Sequence, residues 1–183
     1  KLILNDICHE MSTCFADLLS DRQVTFIPGD AEQLSFPSGQ DLIVSCSALQ
    51  WFVSPEQFFK RCNALLSGHG YFAFSTFGKE NLKEIAAVTG SGLHYYSLEE
   101  LKKSLSMHYN IVTAGEERIR LTFATPLDVL YHLKHTGVTA VCRQAWTKGD
   151  LQEFCDKYAK LFSCGNAVTL TYHPLYIIAR KKP

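Results

Sequence analysis

Residues 26–51, FIPGDAEQLSFPSGQDLIVSCSALQW, decide the fold. They read as strand, loop, strand. Phe26 and Ile27 close the first strand, and Pro28-Gly29 stops it. Asp41 to Cys46 forms the second, around the continuous apolar run Leu42-Ile43-Val44. Such a run is expected of a strand covered on both faces. Asp30-Ala31 lies just past the first strand, and a polar cluster ending in Gln50-Trp51 lies just past the second. Open α/β sheets bind ligands outside the carboxyl ends of their strands. The tract therefore sets polar groups and an aromatic where a ligand is expected.

Working outward, Leu2 to Asn5 reads as a buried strand ending at Asp6, and His9 to Leu19 as a helix with Met11, Phe15, Leu18 and Leu19 on one face. Ser54-Pro55-Glu56 opens a further helix, with serine as N-cap and proline in the first turn. Gly68-His69-Gly70 is read as its end, before a strand from Tyr71 to Thr76. Strand alternating with helix predicts an α/β fold, mostly parallel, with helices on both faces.

The pattern then changes. Helices are expected over 81–88 and 97–107, the second with Ser97 and Glu100 as a capping box. Strands are expected at 109–113 and 118–123. Thr125-Pro126 starts a helix that runs to His135, and Thr147 starts another that runs to Phe162. Ala167 to Arg180 reads as one long strand that Pro174 interrupts. The last two strands stand about 40 residues apart, too far for a hairpin loop. Residues 125–163 are accordingly expected to be a helical insertion, or lid, between paired strands, with 1–124 and 164–183 forming the core.

Composition narrows the class. The 183 residues carry 18 basic and 18 acidic side chains, so no global charge draws the chain to nucleic acid or anionic lipid. No run approaches the roughly 18 apolar residues of a membrane span. The seven cysteines are scattered without a C-x-x-C pair, which predicts buried, reduced thiols, no metal and a cytoplasmic location. Lys1 is followed at once by a strand, so at least one strand and helix are expected to precede it. No G-x-G-x-x-G occurs; Gly90-Ser91-Gly92 follows a helical pattern rather than a strand.

Several residues can carry chemistry. Asp6, at a strand end, can accept from ribose hydroxyls or cap the next helix. Asp30 can accept from an adenine amino group beside the small Ala31, or close an Asx-turn. Ser45, Cys46 and Ser47 can hold the amino acid end of a cofactor or form a plain strand-to-helix turn. Gln50 and Trp51 can line a pocket over the reacting centre, though a tryptophan also suits a core. His132 and His135 lack the carboxylate of a zinc motif. Lys134 with Arg143, or Arg118 with Arg120, can neutralise an acidic substrate or simply be solvated. No nucleophile motif is present, which suits a reaction that mainly positions two reactants and excludes water.

At these residues the chain resembles class I S-adenosylmethionine-dependent methyltransferases. Three tracts, LNDICHEM (4–11), GDAEQLSFPSGQDLIVSCSALQWF (29–52) and LTFATPLDVLYHLKHTGVTA (121–140), with LTYHPLYIIARKK (170–182), narrow the resemblance to the malonyl-[acyl-carrier protein] O-methyltransferases of biotin synthesis. The resemblance implies a Rossmann-like sheet with an antiparallel C-terminal strand. It implies S-adenosyl-L-methionine as cofactor, held by Asp6, Ile7, Asp30, Ala31, Ser45, Cys46 and Ser47. It implies malonyl-acyl carrier protein as substrate and partner, met by Gln50, Trp51, Tyr131, Lys134 and Arg143. The family often carries a basic side chain at the position of Tyr131, so Lys134 or Arg143 is the expected carboxylate anchor here. Lys102, Lys103 and Lys134 are candidates for docking an acidic carrier. The family's glycine-rich cofactor loop has no counterpart in these residues, so this chain alone is expected to bind the cofactor poorly. Two other readings stay open: a methyltransferase acting on a quinone, lipid or free acid, and a non-catalytic binding subunit.

Overall fold

The structure is a computed structural model that describes residues 1–137 and 146–183. Strands β1 (Leu2–Asp6) and β2 (Val24–Pro28) pair in parallel, with Asp6 opposite Pro28. Between them run a 3-10 segment, His9–Phe15, and a single helical turn, α1 (Ala16–Leu19). The sequence predicts one regular helix there. None of its residues is buried and no side chain caps it, and a short helix without a packed face gains little over a 3-10 turn.

A second sheet has the order β3-β4-β9-β5. Strands β3 (Gln40–Cys46) and β4 (Leu66–Phe77) are parallel, and β9 (Pro174–Lys181) runs antiparallel to both β4 and β5 (Tyr109–Glu116). Helix α2 (Pro55–Leu65) joins β3 to β4 and ends without a glycine turn. Gly68 to Gly70 fall inside β4 instead. Gly70 is needed for close approach, because a Cβ there would stand 2.8 Å from the Gln40 carbonyl oxygen. Helices α2 and α4 (Leu98–Leu105) cover one face of this sheet. Phe58, Phe59, Leu101 and Leu105 pack there on Phe72, Phe74, Leu175 and Ile177. Burying each such side chain contributes roughly 1.5–3 kcal/mol. The Tyr109 hydroxyl donates to the Phe59 carbonyl at 2.8 Å, and burial raises its pKa.

The opposite face departs from expectation. Leu42 and Val44 are 56% and 57% exposed, and Tyr176 and Ile178 are exposed as well. Among the described residues β3 is therefore covered on one side only. Among the described residues its outer edge also has no strand partner, and neither does that of β1.

The rest of the chain builds a second layer. Strands β6 (Ile119–Phe123), β8 (Ala167–Tyr172) and the two-residue β7 (Ser163–Cys164) form a small antiparallel sheet. Helices α3 (Lys83–Thr89), α5 (Pro126–His135) and α6 (Lys148–Phe162) enclose a core of Ile85, Val129, Leu133, Phe154, Tyr158 and Leu170. Capping boxes start α4, α5 and α6: Ser97 with Glu100, Thr125 with Asp128, and Thr147 with Asp150. The buried Glu84 carboxylate accepts from the Thr171 N–H and from its hydroxyl, tying α3 to β8.

The predicted strand 167–180 is two strands in two sheets. His173 forms the corner between them. Its carbonyl accepts from the Gly78 N–H at 2.7 Å, and its N–H donates to Asn81 Oδ1 at 3.2 Å. Its Nδ1 accepts from the Glu80 N–H at 3.1 Å, so Nε2 carries the hydrogen facing Glu116 Oε2 at 3.1 Å. Gly78 makes room for the ring: a Cβ there would lie 2.6 Å from it.

The cysteines are also not as expected. Only Cys62 is buried among those described, and burial pushes its thiol up to about 12. Cys8, Cys14, Cys46 and Cys164 are exposed. No helix among the described residues is long and apolar enough to cross a membrane.

Candidate functional site

Asp6 and Asp30 come together because β1 and β2 are parallel neighbours that present their carboxyl ends side by side, whereas Ser45 to Ser47 close β3, in a separate sheet. Asp6 ends β1, and its carbonyl accepts from the Gly29 N–H at 2.8 Å. One Asp6 carboxylate oxygen accepts from the Cys8 N–H at 2.8 Å, which leaves Ile7 facing solvent. Asp30 has the same geometry: one oxygen accepts from the Glu32 N–H at 2.8 Å. In both, the other oxygen takes no hydrogen bond from the described residues. Each Asx-turn thus fixes a carboxylate and keeps an acceptor for a ligand hydroxyl or amino group.

Two side chains absent from the sequence reading hold this arrangement. Asn5 Nδ2 donates to the carbonyls of Ile27 and Gly29, at 2.8 and 2.9 Å, and so fixes the end of β2. Glu32 accepts from the N–H groups of Val53 and Ser54, at 2.8 and 2.7 Å. The predicted cap of α2, the Ser54 side chain, makes no capping bond. The Glu32 carboxylate instead sits at the positive end of that helix and ties the β2 loop to it. Arg61 donates to the Leu34 carbonyl and adds a second tie. Ala31 is half-buried and packs on the first core.

Ser45 and Cys46 end β3, beside the end of β4, and Ser47 follows them. Ser47 has φ +51°, a left-handed conformation uncommon for a residue with a side chain. Its N–H donates to the Ser75 carbonyl at 3.0 Å. Gln50 follows in a 3-10 turn, Leu49–Trp51. Its amide nitrogen donates to the Ser47 carbonyl, and its amide oxygen accepts from the Thr76 hydroxyl at 3.1 Å. Gln50, Thr76, Phe77, Tyr95 and Tyr96 line a small cleft beside this turn. Asn81 Nδ2 donates to the Tyr95 hydroxyl at 3.1 Å, and burial raises the Tyr95 pKa. Trp51 is 46% exposed and is a member of neither core.

The described candidates of the insertion, Tyr131 and Lys134, do not line this cleft. Val129 and Leu133 turn one face of α5 into the second core, and Tyr131 and Lys134 lie on its exposed face. His132 instead pairs with the Tyr172 hydroxyl at 3.0 Å. Arg143 and the tract 138–140 fall outside the described residues. Arg118 is not available to an acidic substrate, because it pairs with Glu80 and Glu116. Arg118, and after it Lys83, hold the Glu80 carboxyl down at about 2. Lys102 pairs with Glu99 at 2.9 Å. Among the described residues no group of three His, Cys, Asp or Glu side chains is placed to hold a metal.

Comparison with known proteins gives a consistent result. A family profile described as a methyltransferase domain matches residues 1–74. A malonyl-[acyl-carrier protein] O-methyltransferase of Bacteroides thetaiotaomicron is 56% identical over all of this chain, which spans 74% of that relative. The enzyme of the same name from Bacteroides fragilis is 57% identical over 99% of this chain, which spans only 37% of its length. That of Haemophilus influenzae is 40% identical, with 97% of this chain and 68% of the relative covered. Among solved structures, a Bacillus halodurans protein described as a methyltransferase aligns with all of this chain and 84% of its own, at TM-score 0.69 and 17% identity. The N-methyltransferase NodS of Bradyrhizobium japonicum, solved with S-adenosyl-L-homocysteine, aligns with all of this chain and 67% of its own, at TM-score 0.55 and 13% identity. These two likenesses show the fold, that of a class I methyltransferase sheet with an antiparallel C-terminal strand.

Proposed function

The chain belongs to the family of malonyl-[acyl-carrier protein] O-methyltransferases, and we propose that it carries the acceptor side and part of the cofactor side of that activity. The reaction is methyl esterification of the free carboxylate of malonyl-acyl carrier protein in biotin synthesis. The observation that carries this reading is the pair of Asx-turn carboxylates, Asp6 and Asp30, at adjacent strand ends, each with one acceptor oxygen left over. That acceptor set fits a nucleoside. Asp6 with Ile7 takes the ribose, Asp30 with Ala31 takes the adenine, and Ser45, Cys46 and Ser47 face the amino acid end.

S-adenosyl-L-methionine, when bound, supplies an electrophilic methyl group on a sulfonium. This chain's residues then have little acid–base work. A malonyl carboxylate is ionised near neutral pH, so no general base is required. What the reaction needs is alignment and exclusion of water. Trp51 provides a wall beside the strand ends, and residues 125–163 serve as the lid over the acceptor. Within that lid Lys134 pairs with no acidic group among the described residues, and with Tyr131 and Arg143 it is the candidate to receive the acceptor carboxylate once the lid closes. Lys103 and Lys134 suit an acidic carrier protein. The six cysteines among the described residues are all free, which accords with a cytoplasmic enzyme.

The deciding experiment gives the complete gene product labelled S-adenosylmethionine and malonyl-acyl carrier protein. Base-labile label on the carrier is expected. Cofactor binding without label on the carrier would overturn the acceptor and move the activity to a free acid, lipid or quinone. A separate calorimetric titration of residues 1–183 alone is expected to show weak binding of S-adenosylhomocysteine, because these residues contain no glycine-rich strand-to-helix loop. Tight binding would refute that expectation.

A further inference from the structure

We infer that Gln50 is a positioning residue for the cofactor turn, acting through the backbone of Ser47 rather than by touching the methyl acceptor. The inference rests on the proposed cofactor role of 45–47.

Three observations carry it. Ser47, at the carboxyl end of β3, is held at φ +51°. A non-glycine residue in that region is strained and persists only where its surroundings impose it. Here the surroundings can be named. From one side the neighbouring strand fixes the Ser47 N–H, through the Ser75 carbonyl and more weakly the Ser75 hydroxyl, at 3.0 and 3.3 Å. From the other side the Gln50 amide nitrogen fixes the Ser47 carbonyl. The Gln50 amide is itself fixed, because its oxygen accepts from Thr76, a side chain only 5% exposed on the same neighbouring strand. Both ends of the amide are therefore engaged inside the protein. Gln50 lines the cleft, but its polar atoms face Ser47 and Thr76. The result is a closed loop of hydrogen bonds, Ser75–Ser47–Gln50–Thr76, that aims the peptide groups after β3.

The test is a double-mutant cycle in the complete gene product, read as the calorimetric Kd for S-adenosylhomocysteine and as KM for malonyl-acyl carrier protein. Glycine adopts φ > 0 without strain, so it makes the strut unnecessary. Gln50→Ala is expected to weaken S-adenosylhomocysteine binding about tenfold with serine at 47, and by less than about twofold in a Ser47→Gly background. KM for the carrier substrate is expected to stay within about twofold in both. Thr76→Val, which removes one hydroxyl and keeps the shape, is expected to act in the same direction if Gln50→Ala proves too unstable to purify. The inference is overturned if Gln50→Ala binds S-adenosylhomocysteine as the parent does. Equal losses in the serine and glycine backgrounds would also overturn it, as would a change confined to KM for the carrier. A parent protein that fails to bind S-adenosylhomocysteine at all would instead sink the cofactor reading beneath it.

Discussion

Residues 1–48 contain no fully buried residue, whereas Leu49 onward supplies every fully buried member of both hydrophobic cores. The two regions are held by different forces. The first is kept in place by backbone pairing, by the Asn5 clamp and by the Glu32 tie to α2. The second is kept by close-packed aromatics: Phe72 lies within 5–6.2 Å, centroid to centroid, of Phe58, Phe59, Phe74 and Tyr109. Local stability follows buried apolar contact, so Asp6 and Asp30 stand on the softer region.

The sharpest way to break this comparison is to truncate one aromatic in each region. Phe72→Ala is expected to cost about 3–5 kcal/mol in denaturant unfolding, as deep aromatic truncations do. Phe26→Ala, half-buried against Phe15 in β2, is expected to cost about 1 kcal/mol. Equal losses would show that β1 and β2 are packed far better than their exposure indicates.

Glu84 and Glu32 extend the contrast to polar ties. Glu84→Ala leaves the Thr171 N–H and hydroxyl buried without an acceptor, for an expected loss of about 2–4 kcal/mol. Glu32→Ala is expected to cost about 1 kcal/mol globally, since its partners can turn to water. It should nonetheless speed amide exchange throughout 1–34, with the amides of β4 and β9 unchanged. An even acceleration across the chain would contradict the division into two regions.

Exposed apolar side chains on an open strand promote association between copies. Residues 1–183 alone are expected to self-associate in sedimentation. Val44→Lys, which puts a charge on the exposed face of β3, should reduce this and leave unfolding within about 0.5 kcal/mol. Unchanged association would place the sticky surface elsewhere.

The smallest expected effect concerns pH. Glu80 titrates at about 2 in the folded chain against an ordinary 4.5, because Arg118 and Lys83 hold it ionised. Its contribution to stability is complete above pH 4.5 and is lost as the pH falls toward 2. The group is exposed, so added salt should flatten this slope, and Arg118→Gln should remove most of it. A salt-independent slope would assign it to other carboxyls.

Much of this was legible from residue patterns, for identifiable reasons. The Ser97–Glu100 capping box and the helix starts at Thr125 and Thr147 were legible because a cap is a local hydrogen-bond exchange over four residues. The strand ends at Asp6, Asp30 and Ser45 were found because β-periodicity and turn residues are local too. Gly68-His69-Gly70 misled, because a glycine required for close approach to Gln40 looks in sequence like one required for a turn. The run 167–180 misled because its corner is held at His173 by partners near 80 and at 116. Neither Glu32 as the anchor of α2 nor Thr76 as the support of Gln50 had any signal in the sequence around it.

The sequence by itself determined the strand-and-helix order, the polar residues at the strand ends and the family. Each of these depends on neighbours within a turn or two, or on motifs that survive as strings. Tertiary structure alone decided which strand face is covered, that Gln50 faces Ser47 and Thr76, and that Arg118 is taken up by Glu80 and Glu116. Those outcomes depend on contacts between residues tens of positions apart, whose energies are set by burial and by the geometry of the assembled sheet rather than by the identity of adjacent residues.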